Sequence, residues 1–232
     1  MNLFYQPNFQ EISALTDEEA FHAAKVLRVR TGETIRVTDG IGHWFEGIVE
    51  KSDPRRCVVR ILHQETIPPR PYFIELIVAP TKNLDRMEWL VEKATEMGVD
   101  KFSFVYTAHS ERRVIKLERL HKIAVSAMKQ SLQAHLPELV EVSNFGEYVT
   151  KNKAQQKFIA HLPENSPPVH LFKVTQRQKN YAVLIGPEGD FSNEEIQMAI
   201  SNGFEMVTLG NTRLRTETAA LVACQLFHTA NL

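Results

Sequence analysis

Two stretches near the C-terminal end carry residue types that could do chemistry at one place. They are LIGPEGDFSNEE (184–195) and LGNTRLRTETAA (209–220). In the first, an apolar run ends in a glycine-proline-glutamate-glycine turn. Gly186 and Gly189 let backbone approach a ligand, and Pro187 stiffens the turn. Ser192 followed by Glu195 forms a capping box, so a helix starts there and runs to about Ser201, with Gly203 capping its C-terminus. A helix N-terminus behind a glycine turn commonly serves an anion or a nucleotide. This one has neither the lysine of a phosphate loop nor the spacing of a dinucleotide fingerprint. Glu188 and Asp190 make it acidic, which suits an uncharged adenine edge or a cationic group better than a phosphate. In the second stretch Thr216 is the expected N-cap and Glu217 sits favourably in the first helical turn. Arg213 and Arg215 stand just before it. If the two strands are parallel and adjacent, both turns lie at the carboxyl edge of the sheet, where open α/β sheets bind ligands. Two ordinary strand-to-helix connections would use the same residue types.

The elements that must hold these turns follow a change of pattern along the chain. Up to residue 67 the sequence is β-rich. ETIRVTDG alternates Ile35 and Val37 with polar neighbours, HWFEGIVE and RCVVRILHQE follow, and short turns separate them, which predicts a small barrel. Before them LTDEEAFHAAKVLRV predicts a helix capped by Thr16 or Asp17, burying Phe21, Ala24, Val26 and Leu27. ETIPPRP (65–71) holds three prolines in seven residues and marks the boundary between a domain at 1–67 and one at 72–232. Beyond it strands alternate with helices, the mark of an α/β domain. YFIELIVAP, KFSFVYT, QKFIAHL, NYAVLIG and EMVTLG are strands. DRMEWLVEKATEMGV is an amphipathic helix with Met87, Leu90, Val91, Ala94 and Met97 on one face and Gly98 at its end. KLERLHKIAVSAMKQSL is a helix stopped near Pro137, PENSPP is a loop, and TETAALVACQLFHTA closes the chain as a helix.

Composition narrows the class. The chain has 232 residues, 43 % hydrophobic and 24 % charged, as for a globular protein with a real core. The formal net charge of -1 gives no global basic field, so any nucleic acid must be held by local patches, and on charge alone a small-molecule enzyme is the simpler reading. Cys57 and Cys224 are far apart and build neither a disulfide framework nor a zinc spacing. The nine histidines are scattered without metal-ligand spacing, so no metal is expected. MNLFYQPNFQ is not a secretory signal and no apolar run is long enough for a membrane span, which predicts a cytoplasmic protein with no membrane partner.

The pair of turns resembles the signature of the RsmE family, the 16S ribosomal RNA (uracil-N3) methyltransferases of the SPOUT class. HAAKVLRVRTGETIRVTDG is similar to that family's amino-terminal segment. TKNLDRMEWLVEKATEMGV and KIAVSAMKQS are similar to successive helices of its methyltransferase domain. The resemblance implies a PUA-like β-barrel that docks RNA, then a SPOUT α/β methyltransferase domain whose C-terminal part is threaded into a trefoil knot. It implies S-adenosylmethionine as cofactor, a homodimer with the active site at or near the interface, and the assembled small ribosomal subunit as substrate. Ile185, Gly186, Glu188 and Gly189 match the first cofactor loop. Leu209, Gly210 and Leu214 match the later loops, and Arg215, Thr216, Glu217 and Thr218 match the RTET run. Leu162 lines the same pocket in this scheme. The chain departs from the family pattern at Asp190, where glycine is common, at Asn2 and Leu3, and at Leu132 and Gln133.

Methylation at uracil N3 needs that nitrogen to lose its proton. A neighbouring cation favours the deprotonated imide. Arg215 is the first choice for this catalytic role and Arg213 the second, because a guanidinium stays charged and offers a planar fork of donors. Glu217 either orients the arginine or takes the proton, or is simply a helix-start glutamate. RNA phosphates would be met by Lys25, Arg28 and Arg30, by Arg55, Arg56 and Arg60, and by Arg112, Arg113, Lys116, Arg119 and Lys122. Each cluster taken alone is more often a solvated face, and three in one chain together with the resemblance point to RNA. Trp89 reads as core or dimer interface, and Trp44 as core or a stacking platform. The rival readings are a SPOUT methyltransferase for transfer RNA or another ribosomal site, and a non-catalytic RNA-binding or ribosome assembly protein. The absence of a dinucleotide fingerprint argues against a small-molecule oxidoreductase.

Overall fold

The computed structural model describes residues 2–111, 113–162 and 168–232. The chain divides into two compact units, one of Met1–Pro69 with Val125–Leu136, the other of Arg70–Ala124 with Pro137–Leu232.

In the first unit the strands are β1 (Leu3–Tyr5), β2 (Thr34–Thr38), β3 (His43–Asp53) and β4 (Arg56–Thr66). They form one sheet in that order, with β1 parallel to β2 and the rest antiparallel. Inward-facing residues alternate along the strands. Ile35, Val37, Phe45, Val49 and Val59 meet Phe4 of β1 and Phe9 of the short helix α1 (Phe9–Ile12) in one core. The predicted first helix is shorter than expected. It is α2 (Asp17–Phe21), capped by Thr16, whose hydroxyl accepts from Glu19 N, and it continues through His22–Val26 as a π-helical turn. Its buried face is Ala20 and Ala23, while Phe21 and Val26 are 55 % and 59 % exposed. The expected face of Phe21, Ala24, Val26 and Leu27 assumed a 3.6-residue period. The wider π turn, with Leu27 N bonded to His22 O, rotates that stripe out of register. The segment Val125–Leu136 is tied into the same unit by Gly42 N to Ala134 O (2.9 Å), Leu136 N to Gly40 O (2.8 Å) and the Lys129–Glu19 ion pair.

The second unit is built on a six-stranded, wholly parallel sheet. Its elements are β5 (Phe73–Val78), α3 (Leu84–Met97), β6 (Lys101–Val105), α4 (Leu117–Gln130), β7 (Glu138–Val142), α5 (Phe145–Lys151), β8 (Gln156–Ala160), α6 (Leu171–Val174), β9 (Asn180–Ile185), α7 (Asn193–Ser201), β10 (Glu205–Val207) and α8 (Thr216–Ala230). The C-terminal part of α4 belongs to the first unit. The strand order is β10-β8-β9-β5-β6-β7. Thus β9 and β10, which lead into the two turns, are parallel but not adjacent, and β8 lies between them. That corrects the simplest arrangement expected from sequence, because adjacency of strands is a long-range choice that no local pattern encodes. The elements β7, α5 and α6 were also not legible. β7 is a half-buried edge strand, and α6 spans only four residues.

Both faces of this sheet are covered, so its central strands are largely apolar, Glu75 of β5 being the charged exception. On one face Ile77, Ala182, Leu184 and Ile159 pack with Phe145 and Val149 of α5 and Ile196 and Ala199 of α7. On the other, Phe227 of α8 stacks on Tyr181 with ring centroids 4.5 Å apart and contacts Phe158. The carboxylate of Glu75 is buried within the sheet and accepts from Ser103, Tyr148 and Asn152, so its burial is compensated. Both cysteines are free and buried, and burial pushes the Cys224 thiol up to about 12.

His228 closes the far end of α8. Its Nδ1 accepts from Tyr72 Oη (2.9 Å), and Arg70 Nη1 lies 3.3 Å from the same nitrogen. Burial first, then the Arg70 charge, pushes His228 down from 6.5 to about 4. Between those values the unfolded chain takes up a proton that the folded chain refuses, so stability falls as pH drops through that window. The thermal unfolding temperature of wild type should therefore fall as pH drops from 6.5 to 4, and more steeply than that of His228→Asn. Parallel curves for the two proteins would contradict the assignment.

Candidate active site

The two glycine turns meet despite the intervening strand. Thr216 is the first residue of α8 rather than its N-cap, which is Arg215 without a side-chain cap bond. The Thr216 hydroxyl instead donates to Gly186 O at 2.9 Å, thirty residues back, and so joins one loop to the other. Between them, at the carboxyl ends of β8, β9 and β10, lies a cavity of about 480 Å³. That is within the range of small-molecule and cofactor sites.

Its wall contains Leu162, Ile185, Gly186, Glu188, Gly189, Leu209, Gly210, Leu214 and Thr216 of the expected cofactor residues, and both Arg213 and Arg215. Thr218 and Glu217 are not on the wall. Glu217 is buried and directed at Arg86 of α3, with Nε 3.8 Å from Oε1. Arg213 and Arg215 are exposed, and among the described residues neither has a carboxylate partner. Local bonds shape the loops. The capping box of Ser192 and Glu195 starts α7 as expected, and Gly203 follows the C-cap residue Asn202 with φ +82°. Thr208 Oγ1 accepts from Gly210 N (3.2 Å), and Gly210 adopts φ +149°, which a side chain would strain. Gly189 passes so near the β6–α4 connection that a Cβ there would stand 3.0 Å from His109 Cβ.

Two residues that sequence reasoning passed over, His109 and His161, hold the first loop. His109 Nδ1 lies 3.0 Å from Gly189 O and 3.1 Å from Asp190 O, within reach of both. His161, at the end of β8 and on the cavity wall, places Nδ1 2.8 Å from Asp190 Oδ2. Asp190 itself sits at φ +60°, and its other oxygen accepts from Phe191 N (2.8 Å). Among non-glycine residues, aspartate and asparagine tolerate this left-handed backbone best. The only sequence signal for His161 was its place beside Leu162 at a strand end. Among the described residues no group of three or more His, Cys, Asp and Glu side chains is arranged for a metal ion. No helix among them is long and apolar enough to cross a membrane.

Known proteins carry the same two parts. Residues 15–62 match an RNA methyltransferase PUA domain, and residues 68–228 match an RNA methyltransferase domain. Ribosomal RNA small subunit methyltransferase E of Mycobacterium bovis is 30 % identical, over 95 % of this chain and 88 % of that one. The chain belongs to the ribosomal RNA small subunit methyltransferase E family. A "probable rRNA-methyltransferase" from Porphyromonas gingivalis superposes with a TM-score of 0.94 at 41 % identity, covering 100 % of this chain and 98 % of that one. The methyltransferase E of Neisseria gonorrhoeae, solved with S-adenosyl methionine bound, superposes with a TM-score of 0.84 at 28 % identity over 100 % and 98 % of the chains. The fold expected from the resemblance, a PUA-like domain followed by an α/β methyltransferase domain, is therefore present.

Of the RNA-contact candidates, Lys25, Arg28 and Arg30 are exposed in the first unit, and Arg28 adopts φ +56°. Arg55, Arg56 and Arg60 are exposed too, with Arg60 paired to Glu50. Arg113 and Lys116 are exposed in the second unit, Arg119 is paired with Glu88, and Arg112 lies outside the described residues. Trp89 is 46 % exposed, so within one chain it is not a core residue. The Trp44 ring lies under the Arg36 guanidinium at 4.9 Å. The Asp190 geometry has a direct consequence. Asp190→Ala loses both the His161 bond and the left-handed tolerance and should lower stability by about 1–2 kcal/mol, whereas Asp190→Asn keeps the backbone preference and should lose less. Equal losses in denaturant unfolding would remove the strain argument.

Proposed function

We propose that the protein binds S-adenosylmethionine in this cavity and methylates N3 of a uracil in the 16S ribosomal RNA of the small subunit. The observation that carries this reading is the joining of the GPEGD and NTRLRTET loops around one cavity, with two unpaired arginines on its wall. The family membership and the gonococcal relative's bound S-adenosyl methionine support it.

The residues present fit the cofactor. The cavity has cofactor size, its floor is apolar at Ile185, Val207 and Leu209, and Glu188 and Asp190 offer negative charge to a cationic group. Once bound, the cofactor supplies a methyl group already activated on a sulfonium. Ile185, Leu209 and Leu214 would hold its apolar surface, and the backbone around Gly186, Gly189 and Gly210 its polar edges. Arg215, with no carboxylate to neutralise it, stabilises the negative charge that spreads over the uracil carbonyls when N3 loses its proton. Arg213 stands beside it as a second donor.

The finer architecture is also part of the proposal. From β9 the chain crosses beyond β8 to β10, then returns as α8 to pack on β9 and β5. This path supports a SPOUT-class trefoil knot, a topology otherwise rare enough to need such support. A homodimer would cover the exposed Trp89 of α3 and bring the active site to the interface.

Arg215→Ala should keep cofactor affinity and lose about 10²-fold in kcat, the usual cost of one charge-stabilising donor. Unchanged turnover removes Arg215 from the mechanism. Mass spectrometry of ribosomal RNA nucleosides from cells with and without the protein should show 3-methyluridine lost in its absence, and an unchanged level refutes the reading. RNA affinity should fall steeply with salt, and Arg28→Glu with Arg30→Glu should weaken RNA binding without altering cofactor binding. A flat salt response would exclude these patches.

A further inference from the structure

Arg86 lies in the first turn of α3, where the sequence presents it only as a polar position on an amphipathic helix. Its guanidinium stands between two carboxylates, one on the first loop and one at the start of α8. Nε is 3.8 Å from Glu217 Oε1, and Nη1 is 4.0 Å from Glu188 Oε1. Glu188 belongs to the cofactor loop, and Glu217 follows Arg215 by two residues. The Glu217 side chain is only 9 % exposed, and its Oε2 is buried without a hydrogen-bond partner. A carboxylate held in that state draws whatever cation can reach it. Arg213 and Arg215 are close along the chain, yet among the described residues neither is paired with it. Lys82, another cation near Glu188, is engaged by Glu111 at 2.9 Å.

We propose that Arg86 is a positioning residue for methyl transfer: it occupies the buried Glu217 carboxylate and so leaves the Arg215 guanidinium uncommitted for the target base. This rests on the function proposed above. The geometry also says what kind of interaction is at work. At 3.8 and 4.0 Å the pairs are coulombic contacts, with no hydrogen bond between Arg86 and either glutamate. Position of charge therefore matters more than the shape of the fork, and a lysine should serve. Without Arg86 the unpaired cation closest to Glu217 along the chain is Arg215, two residues before it, and its capture would withdraw it from the cavity wall.

The test compares methyl transfer to small-subunit ribosomal RNA by wild type, Arg86→Met, Arg86→Lys and the double variant Arg86→Met with Glu217→Gln. Cofactor affinity by calorimetry and thermal unfolding accompany each. Arg86→Met should lose about tenfold in kcat, and Arg86→Lys should stay within about threefold of wild type. The double variant should be several-fold faster than Arg86→Met, because a neutral amide no longer captures Arg215. A merely structural role would show as losses of unfolding temperature or cofactor affinity that track kcat across the four proteins, and that pattern overturns the inference. A double variant no faster than the single, or a lysine variant as slow as the methionine variant, overturns the inference. If Arg86→Met does not fold, the double variant and Arg86→Lys decide: a lysine variant about tenfold or more below the double overturns it. A wild type that transfers no methyl to this RNA overturns the functional reading and the inference with it. An active wild type whose variants break this order overturns the inference alone.

Discussion

The hydrogen bond from Thr216 Oγ1 to Gly186 O is the contact on which the site depends. The strands that feed the two loops are separated by β8, so nothing in the sheet ladder itself brings their ends together. A side chain at the start of α8 does so, and the cost is visible. Thr216 gives up the capping role its residue type favours, and α8 begins with no side-chain cap. An uncapped helix start leaves backbone N–H groups to be satisfied elsewhere.

Around that bond the charges are sorted. Carboxylates of the first loop are all engaged: Glu188 faces Arg86, Asp190 faces His161, and Glu195 receives Ala108 N and Ser192 N. The arginines of the second loop are exposed and unpaired among the described residues. A site whose first-loop carboxylates face cations or donors and whose second-loop arginines face no carboxylate is poised for an anionic reaction partner. This is the electrostatic arrangement that an imide losing its proton requires. The near-zero net charge of the whole chain hides it, because the separation is local.

Much of the site was legible before any coordinates. Ser192 and Glu195 cap a helix through bonds spanning three residues, so their pattern is their structure. Most wall residues could be named from the two turns, because each turn is a continuous segment following a strand. Thr216 was misread as a cap because its partner is thirty residues away. Glu217 was placed with the arginines, whereas its burial directs it to α3. Arg86 and His161 carried no signal of their own: one looked like a surface charge on a helix, the other like a scattered histidine. The first helix was read with the wrong buried face because a π turn breaks the period on which the reading rested.

What the sequence determined by itself is whatever closes within a few residues or repeats with a short period. That covers the alternating strands, the amphipathic α3, the capping box, the proline-rich break at 65–71 and the two glycine turns. Only the tertiary structure decided that β8 lies between β9 and β10, that the loops still meet, and that Glu217 belongs to Arg86. The reason is physical. Local patterns are set by backbone sterics and side-chain bonds to nearby amides. Strand order and ion pairing are settled by burying apolar faces across the whole unit, which brings together residues with no fixed spacing.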